Sequence, residues 1–179
     1  DAGSTTALVG PTGSGKTTVV SLLCRFYEPA SGSILVNGEN YLGRSLSWLQ
    51  SNLGIVLQTP FLFTGTVMSN IRYGKLDATD DEVMAAAKAV NVHDIIMKME
   101  NGYGTEIQEG GNNLSTGQKQ LISFARAIIG DPQILVMDEA TSAVDTQTEQ
   151  LLQRSLRSVL HGRTSFVIAH RLSTIRSAD

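Results

Sequence analysis

Gly10-Pro11-Thr12-Gly13-Ser14-Gly15-Lys16-Thr17-Thr18 follows a short apolar run, Ala7 to Val9, and leads into a helical pattern that begins at about Lys16. The stretch fits G-x-x-x-x-G-K-S/T, in the strand-before, helix-after setting that the pattern needs. Gly13 and Gly15 allow positive φ and carry no Cβ, so successive backbone N–H groups can curl round an anion, and the N-terminus of the next helix adds partial positive charge. In such a loop the Lys16 ammonium faces the β- and γ-phosphates of a nucleotide, and the Thr17 hydroxyl is a ligand for Mg²⁺. The expected fold class is therefore α/β: a phosphate-loop nucleotide-binding fold with a mostly parallel sheet.

The 179 residues, 41% of them hydrophobic, are enough for one domain with a subdomain. The formal net charge is -3 and the basic residues are scattered, so the sequence shows no nucleic-acid footprint. Apolar runs such as Ile134 to Met137 fall far short of the roughly 18 residues that cross a bilayer. The one cysteine, Cys24, lies in the apolar pattern after the phosphate loop and reads as a small buried hydrophobe. A single Cys forms no internal disulfide, which suits a reducing compartment.

Only nine residues precede Gly10, so the chain is expected to start inside its domain. Val19, Leu22, Leu23 and Phe26 recur at helical spacing, and the helix is expected to stop near Glu28 because Pro29 disfavours helix in the residue before it. Ser33 to Val36 reads as a strand with Asn37-Gly38 as a turn, followed by a short helix from about Leu46 and a strand, Gly54 to Leu57, that ends at Gln58. Polar groups at the carboxyl ends of buried strands are where α/β sheets place ligands, although Gln58 taken alone reads as a solvated loop residue. From Thr59 to Asn113 the character is helical: Thr79-x-x-Glu82 is a capping box, Ile95 to Met99 forms a shorter helix, and His93 reads as a surface histidine. The expected partition is a sheet core of residues 1–58 and 130–179 with a helical subdomain, 59–129, inserted into it.

A second chemical stretch is Leu114-Ser115-Thr116-Gly117-Gln118-Lys119-Gln120. Ser115 and Gln118 form a capping box that opens a helix with Leu121, Ala125, Ile128 and Ile129 along one side, stopped by Gly130 and Pro132. A helix start with Ser and Gly at its tip can hold an anion, and a cap alone explains the same residues. Next, Ile134 to Met137 reads as a buried parallel strand that ends in Asp138-Glu139. Beside a phosphate loop, the first carboxylate can hold Mg²⁺ and the second can polarise an attacking water. A further strand, Ser165 to Ala169, ends in His170, which could meet the γ-phosphate from the same sheet edge, although a lone His serves structure at least as readily.

Together these residues resemble the nucleotide-binding domain of ATP-binding cassette transporters over essentially the whole chain. The matching pieces are GPTGSGKTT as Walker A, Gln58 as the Q-loop, LSTGQ as the signature, ILVMDE as Walker B, SAVD as the D-loop and AHR as the H-loop. RFYEPASGSILVNG, TGTVMSNI and GYGTEIQEGG are similar to the exporter branch, the last to a loop that contacts transmembrane domains. The resemblance implies head-to-tail dimers that sandwich two ATP molecules at the cytoplasmic face of a membrane. Gly10, Thr12, Gly13, Ser14, Gly15, Lys16, Thr17 and Thr18 would then hold phosphates and Mg²⁺, Gln58 would contact Mg²⁺ and the attacking water, and Asp138 would support the metal. Glu139 would be the general base, His170 the γ-phosphate contact, Ser115, Gly117 and Gln118 the contact to the partner's nucleotide, and Asp145 an interface residue. Two departures from the family pattern are that the adenine-stacking aromatic and the last strands are expected to lie outside the sequence. Another is Thr116 where the usual signature has Gly, which makes a heterodimer with unequal sites the expected partner arrangement and a homodimer the alternative.

Two other readings compete. One is a soluble cassette ATPase of DNA repair or translation, whose repair-type members carry a long coiled coil between Walker A and the signature; residues 59–113 have no sustained heptads. A non-hydrolysing regulatory module would lack the base or the His, and both Glu139 and His170 are present. No N-K-x-D motif for guanine occurs.

Overall fold

The computed structural model describes residues 2–138 and 146–168. In chain order its elements are β1 (Thr5–Leu8), α1 (Lys16–Leu23), β2 (Leu35–Val36), β3 (Glu39–Asn40), α2 (Leu46–Ser51), β4 (Leu53–Val56), β5 (Gly65–Thr66), α3 (Val67–Arg72), α4 (Asp80–Ala89), α5 (His93–Met97), β6 (Glu106–Ile107), α6 (Thr116–Ile128), β7 (Ile134–Asp138), α7 (Thr146–Leu160) and β8 (Thr164–Ile168). β1, β8, β7 and β4 form, in that order, a wholly parallel sheet, as the near-continuous apolar run of β7 requires of a strand covered on both faces. The register aligns the strand ends: Leu8 pairs with Ile168, Ile168 with Asp138, and Met137 with Val56. Everything that follows Leu8, Val56 and Met137 therefore emerges at one edge of the sheet, which is where open α/β sheets carry ligand sites.

The helices differ from the sequence expectation in instructive ways. α1 ends at Leu23, well before Glu28, and proline is not the cause. Arg25 adopts φ 55°, its N–H donates to the Leu22 carbonyl, and the Phe26 N–H donates to the Ser21 carbonyl at 2.9 Å. This is a Schellman closure with arginine in the place glycine usually takes. Its strain is offset by tertiary bonds, because the Arg25 guanidinium donates to the Arg44 carbonyl at 2.9 Å and pairs with Glu28. Cys24 is fully buried as expected, and burial pushes its thiol up to about 11. Val19 and Phe26 are exposed among the described residues.

β2 and β3 form a hairpin whose turn residues, Asn37 and Gly38, both have positive φ, as a type I′ turn demands. α6 is wider in its burial than one apolar side. Residues 120–125 are buried all round, because the helix lies between β4, α3, α4 and α7. α7 was not anticipated from the sequence, though Leu152, Leu156, Val159 and Leu160 follow helical spacing and are buried against α6 and α4. Its Ser155 and Ser158 hydroxyls donate to the Val90 and Ala89 carbonyls, capping the C-terminal end of α4. His93 is half-buried and lies 2.9 Å from the Tyr103 hydroxyl, so it is not a free surface residue.

Candidate active site

Gly15 forms the N-cap of α1 with φ 89° and offers no side chain to the first-turn N–H groups, which leaves them for a ligand. Gly13 is also left-handed, at φ 83°. A Cβ on Gly10 would meet the Ser14 hydroxyl at 2.7 Å, so a side chain there would have to displace Ser14. The Lys16 ammonium donates to the Gly10 carbonyl at 2.8 Å and the Pro11 carbonyl at 2.9 Å, with Ser14 Oγ at 3.4 Å. The cation thus spans the mouth of the loop.

Thr12, Gly13, Gly15, Lys16, Thr17, Thr18, Gln58, Asp138 and Ile168 line one cleft of about 360 Å³. Residues from 12 to 168 meet there because the strand ends are in register. Gln58 is exposed two residues past β4, whereas Asp138 is half-buried as the last residue of β7. The Thr17 hydroxyl, the Gln58 carbonyl and the Asp138 carboxylate offer hard oxygen donors beside a phosphate-type loop, the donor chemistry Mg²⁺ favours. A larger cavity of about 630 Å³ lies at the amino ends of the strands, among Gly3, Gln133, Gly162 and Thr164. Among the described residues no Asp, Glu, Lys, Arg or His lines it, whereas the smaller cleft holds Lys16 and Asp138.

The tip of α6 is a different place. Ser115 Oγ accepts from the Gln118 N–H at 3.2 Å, and Gln118 Oε1 accepts from the Ser115 N–H at 2.9 Å. The capping box is therefore real, and Ser115, Gly117 and Gln118 are not among the residues that line the cleft. Thr116 takes ordinary helical φ at the first helical position and is exposed, so the backbone there does not itself require glycine. Glu139, Asp145 and His170 lie outside the described residues.

Sequence reasoning missed how two of its quoted stretches meet. Gly65 and Thr66 pair antiparallel with Ile107 and Glu106, which joins the TGTVMSNI and GYGTEIQEGG segments. The second loop then rests on α6, where Lys119 donates to the Gly110 carbonyl at 3.0 Å. Two-residue strands leave no periodicity to read.

A phosphate loop at the carboxyl edge of a parallel sheet, with a strand-end Asp and a Gln in the same cleft, defines a P-loop nucleotide-binding α/β domain. A family model described as ABC transporter matches residues 1–142. The chain belongs to the ABC transporter family, as an ATP-binding domain of the ATPase type. It is 53% identical over 178 residues, 99% of its length, to an uncharacterized ABC transporter ATP-binding protein, YknV, of Bacillus subtilis, and covers 30% of that protein. A fatty acid ABC transporter ATP-binding/permease protein of Mycobacterium tuberculosis is 52% identical over 177 residues, again 99% of the chain and 28% of the relative. ABC transporter B family member 14 of Arabidopsis thaliana is 50% identical over 177 residues, 99% of the chain and 14% of the relative. The chain thus spans less than a third of each of these relatives. None of the described helices is long and apolar enough to cross a membrane.

Proposed function

We propose that this domain hydrolyses ATP to drive export by a transporter whose transmembrane segments lie in the rest of its polypeptide or in a partner. The observation that carries the reading is the single cleft in which Lys16, Thr17, Gln58 and Asp138 converge. The backbone N–H groups from Gly13 to Thr18 and the Lys16 ammonium bind the phosphates, and Gln58 orients the attacking water. Glu139, next in sequence to Asp138, takes the proton from that water as its oxygen bonds to the γ-phosphorus. The bond to the β,γ-bridging oxygen breaks, and ADP and phosphate leave. Thr17, Gln58 and Asp138 would hold Mg²⁺, which when bound neutralises phosphate charge. His170 contacts the γ-phosphate.

The partition into a sheet core of residues 1–58 and 130–179 and a helical subdomain of 59–129 belongs to this proposal. The separation of Ser115, Gly117 and Gln118 from the chain's own cleft supports a second ATP-binding domain that presents its cleft to them. Thr116 favours a heterodimer with one strong and one weak site, working at the cytoplasmic face of a membrane. The exporter reading rests on the stretches after Gln58 and before Ser115, together with the permease fusion named for the mycobacterial relative.

Glu139→Gln in the full-length protein tests the chemistry. It removes the base and leaves the phosphate loop intact, so ATP binding persists while steady-state hydrolysis falls by about 10²–10⁴. Hydrolysis at the wild-type rate would show that Glu139 is not the base.

A further inference from the structure

Residues 57–64 form neither helix nor strand, so the backbone polar groups of this segment need partners from elsewhere. Two side chains supply partners for three of them, the Phe61 carbonyl and both backbone groups of Phe63. The Asn70 amide accepts from the Phe63 N–H at 2.9 Å and donates to the Phe63 carbonyl at 2.8 Å and the Thr66 carbonyl at 3.0 Å. Arg126, on α6, donates from Nη1 to the Phe61 carbonyl at 2.8 Å, from Nε to the Asn70 carbonyl at 2.9 Å and from Nη2 to Asn70 Oδ1 at 2.8 Å. The guanidinium also lies over the Phe63 ring, 5.3 Å from its centroid, and 6.0 Å from that of Tyr73. Its three hydrogen-bond acceptors are all neutral oxygens. A planar fork on three fixed acceptors sets direction as well as distance, which an ammonium does not do.

The helix that carries Arg126 is itself closely packed by β4 and by the turn at Gly74. A Cβ on Gly54 of β4 would come within 2.8 Å of the Ala127 carbonyl oxygen, and one on Gly74 would overlap the Arg126 carbonyl oxygen. Gln58 thus sits in an exposed span of three residues, 57–59, between two anchors. One anchor is Val56, paired with Met137 in the sheet; the other is the buried Pro60 and the Phe61 carbonyl held by Arg126.

We infer that Arg126 is a positioning residue: by holding the Phe61 carbonyl and Asn70 on α6, it fixes the far end of the span that presents Gln58 to the cleft. Ser115 caps the start of the same helix, about 16 Å from Arg126 along its axis at 1.5 Å per residue, so the placement of Gln58 is tied mechanically to the signature tip. The inference rests on the role proposed for Gln58, and the test separates the two.

The experiment is a double-mutant cycle in the full-length transporter with Gln58→Ala and Arg126→Gln, plus Arg126→Lys as a milder variant that keeps charge and stem. ATPase rate, KM for ATP and the Mg²⁺ concentration for half-maximal activity are measured, with rates normalised to ATP-binding stoichiometry. A misplacement on the order of 1 Å costs up to about 10²-fold, so Arg126→Gln is expected to lower kcat by about tenfold or more. KM for ATP is expected to stay close to wild type, the Mg²⁺ requirement to rise, and Arg126→Lys to fall between. In the Gln58→Ala background either Arg126 change is expected to add nothing further. Losses that multiply across the cycle, or Arg126 variants with wild-type kcat and Mg²⁺ dependence, overturn the inference while leaving Gln58 in place. A Gln58→Ala protein with wild-type kcat overturns the role of Gln58 and the inference with it. Should Arg126→Gln bind no ATP, the Arg126→Lys arm of the cycle decides by the same criteria.

Discussion

Replacing Lys16 with Ala removes the cation from the mouth of the phosphate loop, and the structure bounds what that costs. The ammonium donates to the Gly10 and Pro11 carbonyls, so a nucleotide must draw it away from two charge-assisted bonds. Those bonds are worth about 1.5–3 kcal/mol each, so about 5 kcal/mol for the pair. Against this, a phosphate charge about 4 Å from the ammonium contributes about 4 kcal/mol at an effective dielectric constant of 20, and the β- and γ-phosphates together about 8. The difference leaves a net contribution of about 3 kcal/mol, which is roughly two orders of magnitude in Kd. The assay is a fluorescence titration with ATP, ADP and AMP. ATP affinity is expected to fall by about 100-fold, ADP affinity by less, and AMP affinity hardly at all, because AMP carries neither β- nor γ-phosphate. Unchanged ATP affinity, or an equal loss for all three nucleotides, would refute the placement of Lys16 at the outer phosphates.

Three further outcomes are expected. Thr116→Gly should raise turnover at the site that uses this signature; since Thr116 is already helical, the gain must come from removed bulk, and an unchanged rate in the reconstituted transporter would count against unequal sites. Gly74→Ala forces a Cβ onto the Arg126 carbonyl oxygen and to 2.8 Å from Ile129 Cγ2. Such overpacking costs about 1–3 kcal/mol, or roughly 2–12 °C in Tm, with Gly130→Ala as a neutral control read by circular dichroism. Glu82 has its carboxyl held down to about 2, first by its hydrogen bond from Lys75 and then by the Thr79 N–H that it caps. Because the folded value is depressed from 4.5, its stabilisation is complete above that pH and is lost as pH falls toward about 2. The urea-midpoint gap between wild type and Glu82→Gln should close over that window.

The sequence was most legible where one residue type has one physical use. The Gly13, Gly15 and Lys16 spacing announced the loop, and β7 was visible because a strand buried on both faces is apolar throughout. Asp138 and Gln58 were flagged by their position at strand ends, and the register explains why they converge with Lys16. What escaped reading was tertiary. The stop of α1 depends on Arg25 being held by the Arg44 carbonyl, nineteen positions away along the chain, and no local rule places arginine in a left-handed cap. Arg126 carries no local signal, since its acceptors are backbone and amide oxygens of a distant segment. The pairing of β5 with β6 was invisible because each strand is only two residues long.

Alignment of the four strand ends gives the site an unequal tolerance to changes in chain length. Each chemical group is indexed by its count from a paired residue: Asp138 is opposite Ile168, and Gln58 lies two positions past the Val56–Met137 pair. An extra residue in a connection on the amino side of the sheet leaves those counts untouched. One inserted inside β7 would turn Asp138 to the opposite face, because successive strand residues alternate sides. Insertions of equal size would thus be silent in those connections and destroy the site within a strand.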